Sequence, residues 1–434
     1  GVGPQDVALA LVGAVFPSGF VKNKVLEFLG PGINGLSMDF RSGIDVMTTE
    51  TACLSSLWCT DEKTADMFSR LGRADDYKQM KPQVGAEYSS AVVIDLNTIE
   101  PMIAMPFHPS NAYTIKEVNE NTADILHSVE QKALKQLENP KLRLDLQSKI
   151  VNGKLRVDQA EIAGCAGGIF ENLVHAARIL KGHSVPNGFY SMSVYPASNP
   201  VYLDLMKKGY VQDLVESGVI VKNSFCGPCF GAGGIPGNNT FSIRHVTRNF
   251  PNREGSKPKE NQLAAVALMD ARSIAATSLN GGFLTSAADV DFDDTGVLFD
   301  YDPSIYEKTV YSGFGHANPD QELIMGPNIV DWPKMPSMGR NVLMQVASVI
   351  DDDVTTTDEL IPSGDASSYR SNPVRMAEFT LSRRDPQYVA CAKSIAKEDA
   401  NRGLGTVSPA MKERIRKIME RKGWSDDSYA EDTV

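Results

Sequence analysis

Cysteine, histidine and net positive charge are all scarce in this sequence, and no long apolar run occurs in it. Six cysteines in 434 residues cannot staple a chain of this length, so a reducing compartment is expected, with selected thiols free to act as metal ligands. Lysine and arginine number 43 against 54 aspartates and glutamates, and the formal net charge of −11 argues against a nucleic-acid-binding surface. The same acidity opposes an anionic small substrate, unless local arginines reverse the sign inside a cleft. No stretch approaches the roughly 20 apolar residues a membrane helix requires. Val7 to Phe16 is the longest apolar stretch near the start, but Asp6 precedes it and no Lys or Arg does, the wrong flank for a signal peptide. There is no internal repeat and no low-complexity tract. The Gly-rich stretch from Phe230 to Gly237 contains neither G-x-G-x-x-G nor a Walker Gly-Lys-Ser/Thr, so it does not read as a phosphate loop.

What is there supports an α/β chain. At 42% hydrophobic and 22% charged residues it can bury two or three cores of ordinary domain size. Pro4 and Asp6 ahead of Ala8, Leu9, Leu11 and Val12 predict a helix ending near Pro17. The chain opens on Gly1 without an initiator Met and enters this helix at once, as a piece of something longer would. Ala91 to Leu96 reads as a strand, Asn119 to Leu137 as a polar-faced helix, and Asn152-Gly153 as a hairpin turn. Next come a strand at Ala160–Ala163, a Gly-Cys turn, a helix from Phe170 to Lys181, a helix from Tyr202 to Ser217 and a strand at Val219–Asn223. From about Asp300 to Gly339 the chain is aperiodic and rich in Pro, Gly and Asp, as a linker would be. A strand signal returns at Val342–Val349. Ser408 as N-cap, Pro409 at N1 and Gly423 at C′ bound a last amphipathic helix.

The chemistry concentrates in three cysteines. Cys226-Gly227-Pro228-Cys229 follows one predicted strand and Cys165 another, and in open α/β sheets ligands collect beyond the carboxyl ends of strands. Three thiols would leave a [4Fe–4S] cluster one protein ligand short, and the open iron would be a Lewis acid. Other readings compete. Cys-Gly-Pro-Cys is also a thioredoxin-type redox sequence, but there a helix runs on from the first cysteine. Here Phe230-Gly231-Ala232-Gly233-Gly234-Ile235-Pro236-Gly237 cannot sustain one. Structural zinc would need a fourth ligand at short spacing, and His245 is the only candidate nearby. Cys53, Cys59 and Cys391 read as ordinary buried thiols.

The order of strand–Gly–Cys turn, Cys-Gly-Pro-Cys and Thr247-Arg248-Asn249-Phe250-Pro251-Asn252-Arg253-Glu254-Gly255 resembles the aconitase family of iron–sulfur hydro-lyases, nearest its bacterial hydratase-like branch. Phe28-Leu29-Gly30-Pro31-Gly32-Ile33 through Met47-Thr48-Thr49-Glu50 is similar to the family's run into an active-site glutamate. Thr356-Thr357-Asp358, Pro362-Ser363-Gly364 and Arg370 resemble the entry to its swivelling fourth domain. The resemblance implies several open, mostly parallel α/β domains around a cluster cleft. These would be a second domain over 1–110, a cluster-bearing third domain over 111–300, a linker over 301–340 and the start of the swivel domain over 341–434. It implies that Cys165, Cys226 and Cys229 hold a [4Fe–4S] cluster and that Arg248, Arg253 and Arg370 grip carboxylates bidentately. Glu50 would contact the reacting hydroxyl or water, with Asp358 in the same hydrogen-bonded shell. The reaction would be reversible dehydration of a di- or tricarboxylic hydroxy acid, in the cytoplasm or a mitochondrial matrix, with neither membrane nor nucleic acid as partner.

The sequence departs from the family in ways that bear on substrate. Cys165-Ala166-Gly167-Gly168 replaces a polar Cys-Thr-Asn-Ser, Thr247 replaces an Asn beside the cluster, Glu359 replaces a His, and Ile361 replaces a Ser. Citrate and isocitrate are therefore not assumed. The Asp-His and Asp-Ser-His groups of the family's N-terminal domain do not occur, and Ser382-Arg383-Arg384-Asp385 is a poor match to its Gly-Ser-Arg-Glu base loop. The expectation is a central portion whose acid–base residues lie on N- and C-terminal segments absent from this chain. Two other classes stay open: an aconitase-fold binding or regulatory protein that has lost catalysis, and a dithiol oxidoreductase.

Overall fold

The computed structural model describes residues 1–434 apart from 138–140, 187, 252, 255–260, 336, 338–341, 343, 352–356, 404, 405, 407, 424–434 and the side chains of 402 and 403. Asn252, Gly255 and Thr356 of the motifs above, and parts of the expected linker and swivel domain, lie outside the described residues. The chain divides into two units, Gly1–Ala317 and Asn318–Val434.

In the first unit, the helix Pro4–Val15 starts where the sequence predicts. Proline occupies its first turn, and Asp6 accepts the Gly3 backbone N–H at 2.8 Å. Two short strands, β1 (Val25–Phe28) and β2 (Ser55–Trp58), pair in parallel, and the chain between them contains the turn Thr48–Thr51 with Glu50. The next two strands, β3 (Met102–Ala104) and β4 (Ala112–Thr114), are antiparallel. After the small hairpin of β5 (Ile150–Val151) and β6 (Lys154–Leu155) come β7 (Gln159–Ile162), β8 (Ser191–Val194), β9 (Ile220–Val221), β10 (Phe241–His245) and β11 (Ala265–Met269).

These strands form a seven-stranded sheet in the order β4-β3-β11-β10-β7-β8-β9, parallel from β11 to β9. The order explains where a ligand would go. From β7 the chain moves outward to β8 and β9, then returns to the other side of β7 for β10 and β11. The crevice at the carboxyl ends of β7 and β10 is thus the switch point of a doubly wound sheet. Period-two alternation sorts the strand residues onto two buried faces. Ala160, Ile162, Phe241, Ile243, Ala265 and Met269 face the main core, where Phe170, Leu173 and Ile274 of the helices Phe170–Leu180 and Ala271–Leu279 cover them. On the opposite face Ala163, Val246 and Leu268 pack with Ala8 and Leu9 of the first helix, and with Tyr195 and Cys229.

Several expectations are corrected. Ala91–Leu96 forms no strand; Val93 stands 92% exposed, with no neighbouring strand to cover it. The helix expected over 202–217 is two helices, Asn199–Lys207 and Tyr210–Glu216, broken at Gly209, whose φ of 84° no right-handed helix accepts. Asn119–Leu137 likewise divides into Ile115–Glu120 and Thr122–Leu137. A division at 110 falls inside the β3–β4 hairpin, and both of those strands belong to the large sheet.

The second unit is built from helices. Thr357–Leu360, Ser363–Ala366 and Pro373–Ala377 are single turns, whereas Tyr388–Gly403 and Pro409–Lys422 are longer. Among the described residues of Val342–Val349 there is no strand. No helix among the described residues is long and apolar enough to cross a membrane.

Candidate functional site

Cys165 lies in the turn Gly164–Gly167 immediately after β7. Gly164 has φ +71°, and a Cβ there would stand 3.0 Å from the Cys229 sulfur and 3.8 Å from that of Cys226. The turn is therefore pressed directly against the other two thiols, and only glycine suits both its conformation and its clearance. Three residues later, a Cβ at Gly167 would meet the His245 carbonyl oxygen at 2.2 Å. The Cys-Ala-Gly-Gly sequence thus brings the β7 turn against the end of β10, where a side chain at position 167 would have no room.

Cys226 and Cys229 bracket a tight turn closed by the Cys229 N–H on the Cys226 carbonyl at 3.1 Å. Cys165 and Cys226 are exposed and Cys229 is buried. A hydrogen bond from the Cys229 thiol draws the Cys226 thiol well below the ordinary range, and the Arg253 and Arg248 guanidinium groups add to this. The same hydrogen bond, together with burial, pushes Cys229 up, while the Thr247 backbone N–H donates toward its sulfur. Burial and the charge of Cys226 raise Cys165; the backbone N–H groups of Cys165 and Ala166 and the charge of Arg248 act the other way. The three sulfurs feel one another, and they collect N–H donors and positive charge from the Cys165 turn and from the loop of Thr247, Arg248 and Arg253.

The loop after β10 supplies that charge. Asn249 is buried, and its amide donates to the carbonyls of Ala104, Met105 and Val266 at 3.1–3.3 Å, tying the Thr247–Phe250 turn to the sheet. Arg248 donates through Nε to Glu50 Oε1 at 2.5 Å, and Arg253 donates through Nε to the Cys229 carbonyl at 2.5 Å. Burial raises Glu50 above the ordinary carboxylate range, although Arg248, Thr49 and Arg253 all pull it down. Desolvation wins there over three favourable partners, so the Glu50 carboxyl holds its proton to higher pH than an exposed carboxylate.

Thus Cys165, Cys226, Cys229, Thr247, Arg248, Arg253 and Glu50 share one neighbourhood in the first unit. Asp358 and Arg370 belong to the second. Asp358 is buried and accepts the Ser363 backbone N–H at 3.1 Å, so it holds the start of the next turn, and Arg370 is exposed. Cys53 and Cys59 are half-buried rather than buried, and Cys53 donates to the Thr48 carbonyl at 3.3 Å.

Sequence reading missed Arg244 and Glu161, both buried beneath the cysteine turns on β10 and β7. The signal was available: a charged residue inside Phe241-Ser242-Ile243-Arg244-His245, otherwise a strand to be buried on both faces, needs partners.

Among the described residues no three His, Cys, Asp or Glu side chains converge tightly enough to hold a single metal ion. A single ion gathers all its sulfur ligands at about 2.3 Å from one point, whereas thiolates around a cube each take a different iron. Cys165 on one turn and Cys226 and Cys229 on another, with backbone N–H donors toward Cys165 and Cys229 and two arginines beside them, fit such a ligand set.

Comparison with known proteins decides the kinship. The sequence profile of the aconitase family (aconitate hydratase) matches residues 1–276. This chain belongs to the aconitase family. Among its relatives is a 3-isopropylmalate dehydratase large subunit of Caldicellulosiruptor bescii, 29% identical over 271 residues, or 62% of this chain and 55% of that protein. Another from Clostridium kluyveri is 29% identical over 274 residues, covering 63% of this chain and 56% of its own. A 2,3-dimethylmalate dehydratase large subunit of Eubacterium barkeri is also 29% identical over 274 residues, covering 63% and 57%. The chain spans about half the length of the relatives it matches. The matched part of this aconitase-family chain contains Glu50, Cys165, Cys226, Cys229, Thr247, Arg248 and Arg253, whereas Asp358 and Arg370 lie beyond it.

Proposed function

We propose that the chain is the cluster-holding part of a hydro-lyase that reversibly dehydrates a hydroxy di- or tricarboxylic acid, within a two-subunit enzyme of the dehydratase kind. What carries the reading is the convergence of Cys165, Cys226 and Cys229 beside Arg248 and Arg253 at the sheet's switch point. When bound there, a [4Fe–4S] cluster supplies a Lewis-acidic iron free of protein thiolate, suited to a departing hydroxyl.

The chain's own groups would do the rest. Arg248 and Arg253 grip substrate carboxylates, with each charge-assisted contact contributing about 1.5–3 kcal/mol, enough locally to offset an acidic envelope. Glu50 both orients Arg248 and holds or releases a proton at the reacting hydroxyl, which its burial-raised carboxyl suits. The base that takes the carbon-bound proton comes from the remainder of the enzyme, including a small subunit. A reducing cytoplasm suits thiolates kept for a cluster.

One observation favours a dithiol couple instead: the lowered Cys226 thiol hydrogen-bonded to Cys229. Against it, the pair lies on a single tight turn followed by no helix, and a third thiol stands beside it. The two readings part on a spectroscopic titration of the anaerobically reconstituted chain with 3-isopropylmalate, 2,3-dimethylmalate and citrate. A hydroxy acid that perturbs the paramagnetic resonance of the reduced cluster, with the effect lost in Arg248→Ala, supports the hydro-lyase. A cluster spectrum indifferent to all of them would sink it.

A further inference from the structure

The placement of the cysteine turn has its own support beneath it. Arg244 is 1% exposed on β10, a costly position for a charge that always persists. Glu161, the carboxylate that acts on it most strongly, pulls on it electrostatically, yet the buried Glu161 Oε2 makes no hydrogen bond. The guanidinium instead donates through Nη1 to the Pro228 carbonyl at 2.7 Å and through Nη2 to the Gly234 carbonyl at 2.6 Å. Behind, it is oriented by Ser242 Oγ at 3.1 Å from Nε and by Gln159 Oε1 at 3.2 Å from Nη2. Pro228 lies between the two cysteines, and Gly234 lies in the glycine-rich stretch that follows them. A planar fork that reaches both at once fixes the turn's height above the sheet, and a point-like ammonium cannot span the two carbonyls in the same way.

We propose that Arg244 is a positioning residue that clamps the Cys226–Gly234 segment to the sheet and so sets where the Cys226 and Cys229 sulfurs stand. Its relevance to cluster holding rests on the functional reading above, but the clamp itself does not. The test therefore has two arms. In the first, iron-free reduced protein is alkylated with iodoacetamide and each cysteine is followed by mass spectrometry, with Cys53 as an internal reference in the same unit. Arg244→Gln is expected to speed Cys229 labelling about tenfold relative to Cys53, as loss of two buried charge-assisted hydrogen bonds would. Arg244→Lys should fall between the two. General loosening would move Cys53 and Cys229 together, and Lys would not restore the difference.

In the second arm, the half-time of iron loss after anaerobic reconstitution should shorten in the same order. Labelling and iron loss both unchanged in Arg244→Gln would overturn the proposal. Wild-type protein that takes up no iron would count against the cluster reading while leaving the labelling arm intact. If Arg244→Gln does not fold, Ser242→Ala, which removes the acceptor behind Nε, is read in the same way. About threefold faster Cys229 labelling supports the clamp, and wild-type labelling contradicts it.

Discussion

The two halves of the expected residue set are built differently, one in each unit. Cys165, Thr247 and Arg248 follow the ends of β7 and β10, strands buried on both faces, and the loops between are tied down by Asn249 and Arg244. Asp358 and Arg370 sit among single-turn helices in a unit whose buried apolar side chains among the described residues are Pro362, Ala366, Leu381, Ile415 and Met419. In that unit Leu323, Ile324, Met344 and Val346 are 74–89% exposed. The contrast teaches where precision comes from. A residue at the end of a parallel strand inherits the rigidity of a packed sheet, whereas one on an isolated turn has only its own hydrogen bonds to hold it.

The largest effect should come from comparing thiols across this divide. Cys165→Ser is expected to remove cluster retention, taking bound iron from about four atoms per chain to well below one. Cys391→Ser, on the helix Tyr388–Gly403, should leave iron unchanged. Equal losses in both, by iron analysis, would erase the distinction between the halves.

An intermediate effect concerns the buried charge under the turns. Burial lifts Glu161 from its ordinary 4.5 to about 7, with Arg244 and Lys222 pulling back. The folded chain then keeps a proton that the unfolded chain has released between those values. The associated stability is complete below the unfolded value and is lost as pH rises through about 7. Glu161→Gln should flatten that slope. At about 1.4 kcal/mol per pKa unit, the difference between unfolding free energies near pH 5 and near pH 8 should change by a few kcal/mol. Parallel wild-type and Gln curves in a denaturant series would show that the carboxyl is not held protonated.

The smallest effect is at the far end of the second unit. Ser408 Oγ accepts the Met411 N–H at 3.3 Å, and Ser408→Ala should cost about 1 kcal/mol of local helix stability. Faster hydrogen exchange confined to Pro409–Lys422 is the expected signature, and exchange spreading into the first unit would argue against independent behaviour.

The sequence made some of this legible because certain signals are local. Pro4, Asn152-Gly153, Ser408 and Gly423 each specify a start, a turn or a cap by their own backbone chemistry, and all four do so in the structure. The Gly-Cys turn after β7 and the helix from Phe170 were readable for the same reason. Ala91–Leu96 misled because a short apolar run becomes a strand only when another strand and a core receive it, which the run itself does not record. The break at Gly209 was a conformational demand hidden inside an otherwise helical pattern. Arg244 escaped because its partners are the carbonyls of Pro228 and Gly234, and main-chain acceptors leave no trace in side-chain spacing. The arginines and Glu50 were found through family likeness. Their mutual contact, and the burial that lifts Glu50, belong to the folded chain alone.

The central claim is that Cys165 and the distant Cys226/Cys229 pair form one ligand set. Iron and acid-labile sulfide per chain, measured after anaerobic reconstitution, test it most directly. The account expects about four of each with a broad visible cluster band. A colourless protein holding neither, or one holding a single iron and no sulfide, would contradict it.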